Sequence, residues 1–293
     1  MNGETMQIFR IRRLVGFVCV LILSLASRVW SAGNEKSEKD LPLPGEVFKV
    51  DGRTAFIIMP APEALLANRP IPWVWYAPTL PNLPEAHECW MFQRFLARGI
   101  AIAGVDVGES YGSPAGRAHF SALYRELVEK RNFSPKPVLL PRSRGGLMLY
   151  NWAAENADKV GGIAGVYPVC DLRSFPGLDK ACGAYGITKE QLADKLAEHN
   201  PIDRLAPLAR AEVPIFHIHG DSDRVVPLEK NSVELARRYR ELGGRMRLRV
   251  LPGKGHDMSE GFFQCEELVD FVIDHISPVS QRELSENDQT RKK

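Results

Sequence analysis

Val138-Leu139-Leu140-Pro141-Arg142-Ser143-Arg144-Gly145-Gly146 places a short apolar run, a serine and two glycines in succession. The apolar run, bracketed by Pro137 and Pro141, reads as a buried strand, and residues 145–157 read as a helix. A serine on a sharp strand-to-helix turn projects its hydroxyl away from the backbone, provided that small residues flank the turn. Gly145 is the small downstream residue, and Gly146 lets the helix pack closely. The upstream position holds Pro141 instead of glycine; proline has a fixed φ and no N–H, but it is compact and can end a strand. The other reading of Ser143 is an ordinary helix N-cap.

Two more strand ends carry chemistry further along the chain. Residues 214–219 read as a strand and lead into His219-Gly220-Asp221-Ser222-Asp223-Arg224-Val225-Val226-Pro227, and residues 246–251 lead into Pro252-Gly253-Lys254-Gly255-His256. A serine hydroxyl becomes a useful nucleophile only when a base removes its proton. His256 is the candidate base, and Asp223 the carboxylate that orients its ring and stabilises the imidazolium. Asp221 and Asp257 compete for the acid's place. His217 and His219 share one face of their strand, which leaves open a pair of metal ligands, but no third ligand has an obvious spacing and His219 reads instead as an anchor for the turn beside Asp223. His87 and His199 have no supporting context.

The remaining pattern sets the architecture. Residues 47–50 and 55–58 around Asp51-Gly52 read as a β-hairpin. Strands at 73–77, 100–107, 138–140, 160–169, 214–219 and 246–251 then alternate with helices at 85–98, 118–130, 145–157, 228–242 and 261–276. That order predicts an α/β fold: a mostly parallel central sheet with an N-terminal antiparallel hairpin and helices on both faces. Residues 170–203 depart from the alternation and hold a short helix capped by Thr188 with Gln191 three residues later, and their place is that of a lid. Trp73, Trp75, Trp90, Tyr111 and Trp152 read as core or pocket wall, not as sugar platforms.

Residues 74–276 resemble the α/β-hydrolase superfamily, in particular its esterase, dienelactone-hydrolase and prolyl-oligopeptidase-type catalytic domains. The acid loop 219–227 is the most specific match; Asn200-Pro201-Ile202-Asp203 is similar to the segment before it, and Gly253-Lys254-Gly255-His256 to the histidine loop. The resemblance implies an α/β-hydrolase fold with Ser143 as nucleophile, His256 as base and Asp223 as acid, in that family's chain order. It also implies an oxyanion hole built from the Arg144 backbone N–H and a second donor from the loop after strand 73–77. That loop reads Tyr76-Ala77-Pro78-Thr79-Leu80 where the family has His-Gly-Gly; Pro78 cannot donate, so the Thr79 or Leu80 amide is expected. A Tyr76 hydroxyl is the alternative, by resemblance to the peptidase branch.

Gly108-Glu109-Ser110-Tyr111-Gly112-Ser113 lacks the lysine and spacing of a phosphate-binding loop and reads as a pocket-forming loop. Tyr76, Glu109, Tyr111 and Arg142 are the candidate pocket residues. Arg142 and Arg144 flank the nucleophile and either bind an acidic substrate group or pair with carboxylates.

Residues 1–32 combine Arg10, Arg12 and Arg13 with an apolar run at 14–26 and small residues after it, the pattern of a secretory signal peptide; an uncleaved anchor is the alternative. Residues 33–44 read as a tether, 45–278 as the domain and 279–293 as a disordered tail. The 293-residue chain is 44% hydrophobic and 25% charged with a net charge of +2. Four of its 38 basic and one of its 36 acidic residues lie within 1–32, so the remainder is near neutral and nucleic-acid binding has no compositional support. No stable membrane insertion is expected once the leader is cleaved.

Export exposes Cys89, Cys170, Cys182 and Cys265 to oxidising conditions. Cys170–Cys182 is the expected bridge, with Cys89–Cys265 or free thiols as alternatives. No paired-cysteine zinc spacing occurs. The expectation is therefore a secreted or periplasmic serine hydrolase that cleaves small-molecule or carbohydrate esters through an acyl-enzyme, with no cofactor and no metal. The alternatives are a prolyl-oligopeptidase-like peptidase and a non-catalytic binding protein on the same fold.

Overall fold

Asp51 and Gly52 both have positive φ, +50° and +74°, and close the tight turn between β1 (Glu46–Val50) and β2 (Arg53–Ile58). From there a computed structural model describes residues 39–276 apart from residue 68. The expected leader 1–32, the first part of the tether and the tail 279–293 lie outside the described residues. After the hairpin come β3 (Trp73–Ala77), α1 (Cys89–Ala97), β4 (Ala101–Val105), α2 (Pro114–Arg125), β5 (Val138–Pro141), α3 (Gly145–Glu155) and β6 (Gly162–Val166). Then follow α4 (Leu178–Tyr185), α5 (Lys189–Asp194), α6 (Leu196–His199), α7 (Ala206–Arg210), β7 (Ile215–Gly220), α8 (Ser232–Glu241), β8 (Met246–Leu251), α9 (Glu260–Phe263) and α10 (Glu266–Ile276).

The eight strands form one sheet in the order β1-β2-β4-β3-β5-β6-β7-β8. β1 and β2, and β2 and β4, pair antiparallel, and every later pair is parallel. The fold is that of the α/β-hydrolases. Alternation along β3 shows why both faces need helices. Trp73, Trp75 and Ala77 enter a core with Phe120, Trp152 and Leu235 of α2, α3 and α8, whereas Val74 and Tyr76 enter a second core with Phe92 and Phe271 of α1 and α10. Trp75 and Trp152 pack with ring centroids 4.7 Å apart, so these tryptophans belong to the core. Each large side chain buried this way stabilises by roughly 1.5–3 kcal/mol.

The structure corrects three expectations. The helix expected at 118–130 starts at Pro114, because Ser113 accepts a hydrogen bond from the Gly116 amide, and its last turn, 126–130, widens to a π-turn. Residues 39–44 are not a free tether. Lys39 donates to the Leu80 carbonyl at 2.7 Å and to that of Leu83, while Leu41 and Leu43 pack on the second core. The Cys170–Cys182 bridge is not formed, and all four cysteines among the described residues are free. Cys170 is fully buried with its thiol directed at Pro168 O, whereas Cys182 on α4 turns its thiol back to Asp179 O.

Residues 170–203 fold into α4, α5, α6 and a short 3-10 turn at Pro201–Asp203. Leu172, Ala181 and Leu192 form a third apolar cluster with Leu147 of α3 and Val226 of the acid loop. The segment therefore packs between the serine's helix and the acid's loop.

Candidate active site

Ser143 sits between β5 and α3 with φ +52°, a left-handed conformation that costs an L-residue about 1–2 kcal/mol. The surroundings enforce it. The Ser143 amide donates to Val166 O at 3.0 Å, and its carbonyl accepts from the Gly146 and Val169 amides at 2.9 and 2.7 Å. A Cβ on Gly145 would lie 2.0 Å from Ala77 O, and one on Gly146 2.2 Å from Val169 O, so both positions require glycine. Pro141 fits upstream because it ends β5, and the ladder continues through the Arg142 amide, which donates to Ala77 O at 2.8 Å.

The loops after β5, β7 and β8 meet at one edge of the sheet. Ser143 Oγ is 2.9 Å from His256 Nε2, and His256 Nδ1 is 2.7 Å from Asp223 Oδ2. Asp223 is buried, and its other oxygen accepts from the amides of Val225 and Val226 at 2.9 and 2.8 Å. Burial alone would push its carboxyl up. The neighbouring His219 and hydrogen bonds from His256 and the Val226 amide prevail and hold it well below the usual carboxylate range. Asp223 is thus ionised and aimed at the ring nitrogen opposite the serine, the arrangement in which imidazole accepts the hydroxyl proton.

The competing acids point elsewhere: Asp221 accepts from the Gly253 amide, and Asp257 from the Gly255 and Ser259 amides. His217 and His219 are fully buried and all four ring nitrogens face protein partners, which rules them out as a metal pair.

Among the described residues, no acceptor is paired with the backbone N–H of Arg144, Thr79 or Leu80, the three candidate oxyanion donors. The Thr79 side chain is buried and donates to Tyr76 O at 3.3 Å, and the Leu80 carbonyl is held by Lys39.

Two candidate pocket residues are corrected. Tyr76 is 1% exposed and donates to Glu88 Oε1 at 2.8 Å, so its hydroxyl is committed behind the sheet edge. Arg142 is 6% exposed; its guanidinium donates to Glu88 Oε1 at 2.6 Å and to Glu85 Oε1 and Met258 Sδ at 2.8 Å. Both are structural parts of a buried ionic cluster beneath the elbow. Glu109 forms a partly exposed ion pair with Arg144, whose guanidinium stands 6.0 Å from the Phe175 ring. Tyr111, half-buried, packs in the third cluster, and its carbonyl accepts from the Tyr185 hydroxyl at 2.8 Å.

Tyr167, unremarkable in sequence, packs against His256 with ring centroids 4.4 Å apart and planes tilted by 51°, and directs its hydroxyl to Met258 Sδ. No local pattern signals it. Glu85 and Glu88 are likewise invisible before folding, since their partner Arg142 lies more than fifty residues away in sequence. His219 is different: its place at the end of the strand before the acid loop reads as an anchor for the turn beside Asp223, and its Nε2 lies 2.8 Å from Val226 O and 3.4 Å from Asp223 Oδ2.

A nucleophile elbow, an imidazole and an ionised carboxylate on successive loops of this sheet define a serine hydrolase of the α/β-hydrolase superfamily. Within it, residues 122–277, more than half of the chain, match the prolyl oligopeptidase family, and the chain belongs to that family. No curated protein matches the sequence closely. Among solved structures it is similar to dipeptidyl peptidase 4 of Porphyromonas gingivalis, at TM-score 0.61 and 14% identity over 79% of this chain and 35% of that one. It is similar to a puromycin-hydrolysing peptidase of Mycobacterium tuberculosis, at TM-score 0.60 and 17% identity over 80% and 39%. It is also similar to Est1E of Butyrivibrio proteoclasticus, at 0.58 and 18% over 80% and 99%. At these identities the likeness is one of fold, and the chain spans little more than a third of the peptidases it matches.

Proposed function

We propose that the protein hydrolyses carboxylic esters of small molecules or carbohydrates through an acyl-enzyme on Ser143. The observation that carries this reading is the unbroken contact from Ser143 Oγ through His256 to Asp223, at 2.9 and 2.7 Å. His256 takes the hydroxyl proton as Ser143 attacks the carbonyl carbon, and it returns that proton to the departing alkoxide. The Arg144 amide and an amide of residues 79–80 receive the negative oxygen; one such donor is commonly worth about 3 kcal/mol of barrier. Water, deprotonated by the same ring, then releases the acid.

The charges beside the nucleophile favour a neutral ester over a peptide terminus. Arg142 is consumed by Glu85 and Glu88, and Arg144 and Glu109 neutralise each other. Membership of the prolyl oligopeptidase family supports the second reading, a peptidase acting on short peptides. The leader-like residues 1–32 support action outside the cytoplasm, tested by sequencing the N-terminus of the exported protein.

A fluorophosphonate probe is expected to label the protein and to fail on Ser143→Ala. Turnover of p-nitrophenyl esters and acetylated sugars, with none of aminoacyl-anilides, is the expected result. Anilide turnover alone would establish the peptidase instead, and a wild-type protein that the probe does not label would be a binding protein.

A further inference from the structure

Behind the triad runs a line of polar groups that the reaction itself never touches. His217, His219 and Ser232 are 0% exposed and Tyr150 is 1% exposed. Tyr150 Oη lies 2.7 Å from His217 Nε2, and His217 Nδ1 lies 2.9 Å from Ser232 Oγ. The same Oγ is 2.8 Å from His219 Nδ1. His219 Nε2 is 2.8 Å from Val226 O and 3.4 Å from Asp223 Oδ2. Glycine at 165 makes room for this line, because a Cβ there would lie 2.7 Å from His217 Cδ2.

The hydrogens along the line follow by elimination. A carbonyl and a carboxylate only accept, so His219 Nε2 carries a hydrogen. In a neutral ring, His219 Nδ1 is then an acceptor, and Ser232 spends its one O–H on it. Ser232 Oγ therefore accepts from His217 Nδ1–H, and His217 Nε2 accepts from Tyr150 O–H. Burial supports both ends of this assignment. It pushes the Tyr150 hydroxyl well up, so that it keeps its proton, and it pushes His217 well down, so that ring is uncharged. The other titratable groups nearby, the Cys170 thiol and the Tyr239 hydroxyl, are also pushed up by burial and carry no charge.

We propose that Tyr150, His217, Ser232 and His219 form a one-way hydrogen-bond relay that fixes the His219 Nε2–H on the acid loop, bonded to Val226 O and 3.4 Å from Asp223 Oδ2, and so positions the triad acid. His217 and Ser232 are positioning residues of the reaction. The relay rests on the reading of Asp223 as the triad acid. Oδ2 lies 3.4 Å from His219 Nε2 and 2.7 Å from His256 Nδ1, while the Val225 and Val226 amides hold Oδ1. Reversed, it would set the lone pair of His219 Nε2 against two acceptors, so the acid itself enforces the direction.

The ring nitrogens of 15N-histidine-labelled protein read the assignment directly and without substrate. The expected result is two neutral rings of opposite tautomer, Nδ1–H for His217 and Nε2–H for His219. The same tautomer in both, or an imidazolium at either, overturns the relay. Kinetics supply a second measure. Ser232→Ala frees the His219 ring to turn its N–H away from the acid loop; Asp223 loses that nearby positive dipole and becomes more basic, so His256 holds its proton more tightly. The substitution is expected to lower kcat on p-nitrophenyl acetate about tenfold with KM little changed, and to move the acid limb of kcat/KM up by about half a pH unit. Ser232→Thr, which keeps the hydroxyl, is expected to restore both. A natively folded Ser232→Ala with wild-type kcat and profile overturns the proposal. Absence of probe labelling in the wild type would count against the hydrolase reading alone, and the tautomers would decide the relay all the same.

Discussion

Ser143 holds its hydroxyl in place at a cost to the fold, because its φ of +52° belongs to glycine. Ser143→Ala keeps that strain and Ser143→Gly relieves it, so both lose activity but differ in stability. The glycine variant is expected to unfold about 1 kcal/mol harder than the alanine variant in urea, with kcat down by roughly 10⁴-fold or more in each. Equal stabilities would mean that the turn is not strained. Asp223 supplies a pH signature. Its carboxyl titrates below its unfolded value of about 4, so the stability it contributes is complete above that pH and is lost as pH falls through the lower folded value. The stability gap between wild type and Asp223→Asn is therefore expected to be constant from pH 7 to about 5 and to shrink below pH 4. A gap that widens on acidification would show that the carboxylate is not held by His256 and the Val225 and Val226 amides. That these three residues converge is legible in the sequence, because each follows an apolar run and glycine or proline marks each turn. The uses of Tyr76 and Arg142 are not, because burial against Glu88 depends on how far α1 reaches under the elbow, and no local pattern records that distance.

Elements show the same division. The strands are legible because both faces of a parallel sheet are buried, which makes their runs continuously apolar, as in β4 and β6. Helix starts are less so: α2 begins four residues before its amphipathic pattern because Ser113 and Pro114 start it. Within residues 170–203 the start of α5 is legible, because Thr188 and Gln191 form its capping box, but the path of the segment is not, since buried amides fix it. Asn231, 0% exposed, accepts from the Cys170 and Asp171 amides at 2.8 and 3.2 Å and from the Ser174 hydroxyl at 3.1 Å, and it donates to Pro227 O at 2.9 Å. One side chain thereby staples the start of the insertion to the end of the acid loop. Asn231→Leu fills the same volume but strands two buried N–H groups, each costing about 1–3 kcal/mol. The expected loss is about 3 kcal/mol in urea unfolding at unchanged m-value, with kcat falling because the staple ends beside Val226. A loss under about 1 kcal/mol would show that the insertion is held by its apolar cluster and not by this amide.

Over the whole molecule, an open sheet of eight strands leaves two edges, and each exposes backbone N–H and C=O groups that another strand can pair with. Arginines guard both. At β1, Arg131 lies over the Phe48 ring, 4.1 Å from its centroid, and bridges to Glu46 at 2.9 Å. At β8, Arg247 stands 5.3 and 5.6 Å from the Phe216 and Phe271 rings, and Arg249 pairs with Glu267. β8 is the more vulnerable edge. Of its six residues only Met246 is buried, it carries the half-exposed Val250, and neither proline nor glycine interrupts it. Its charges repel a second copy laid alongside and contribute little to stability, since an exposed ion pair is worth about 0–1 kcal/mol. Replacing both, Arg247→Val with Arg249→Val, raises β-propensity and removes two positive charges from a six-residue strand. The double variant is expected to keep its midpoint in urea within about 1 kcal/mol of wild type and its probe labelling, yet to elute in larger species and scatter light on incubation at 37 °C. Elution identical to wild type after prolonged incubation would mean that twist, and not charge, protects the edge.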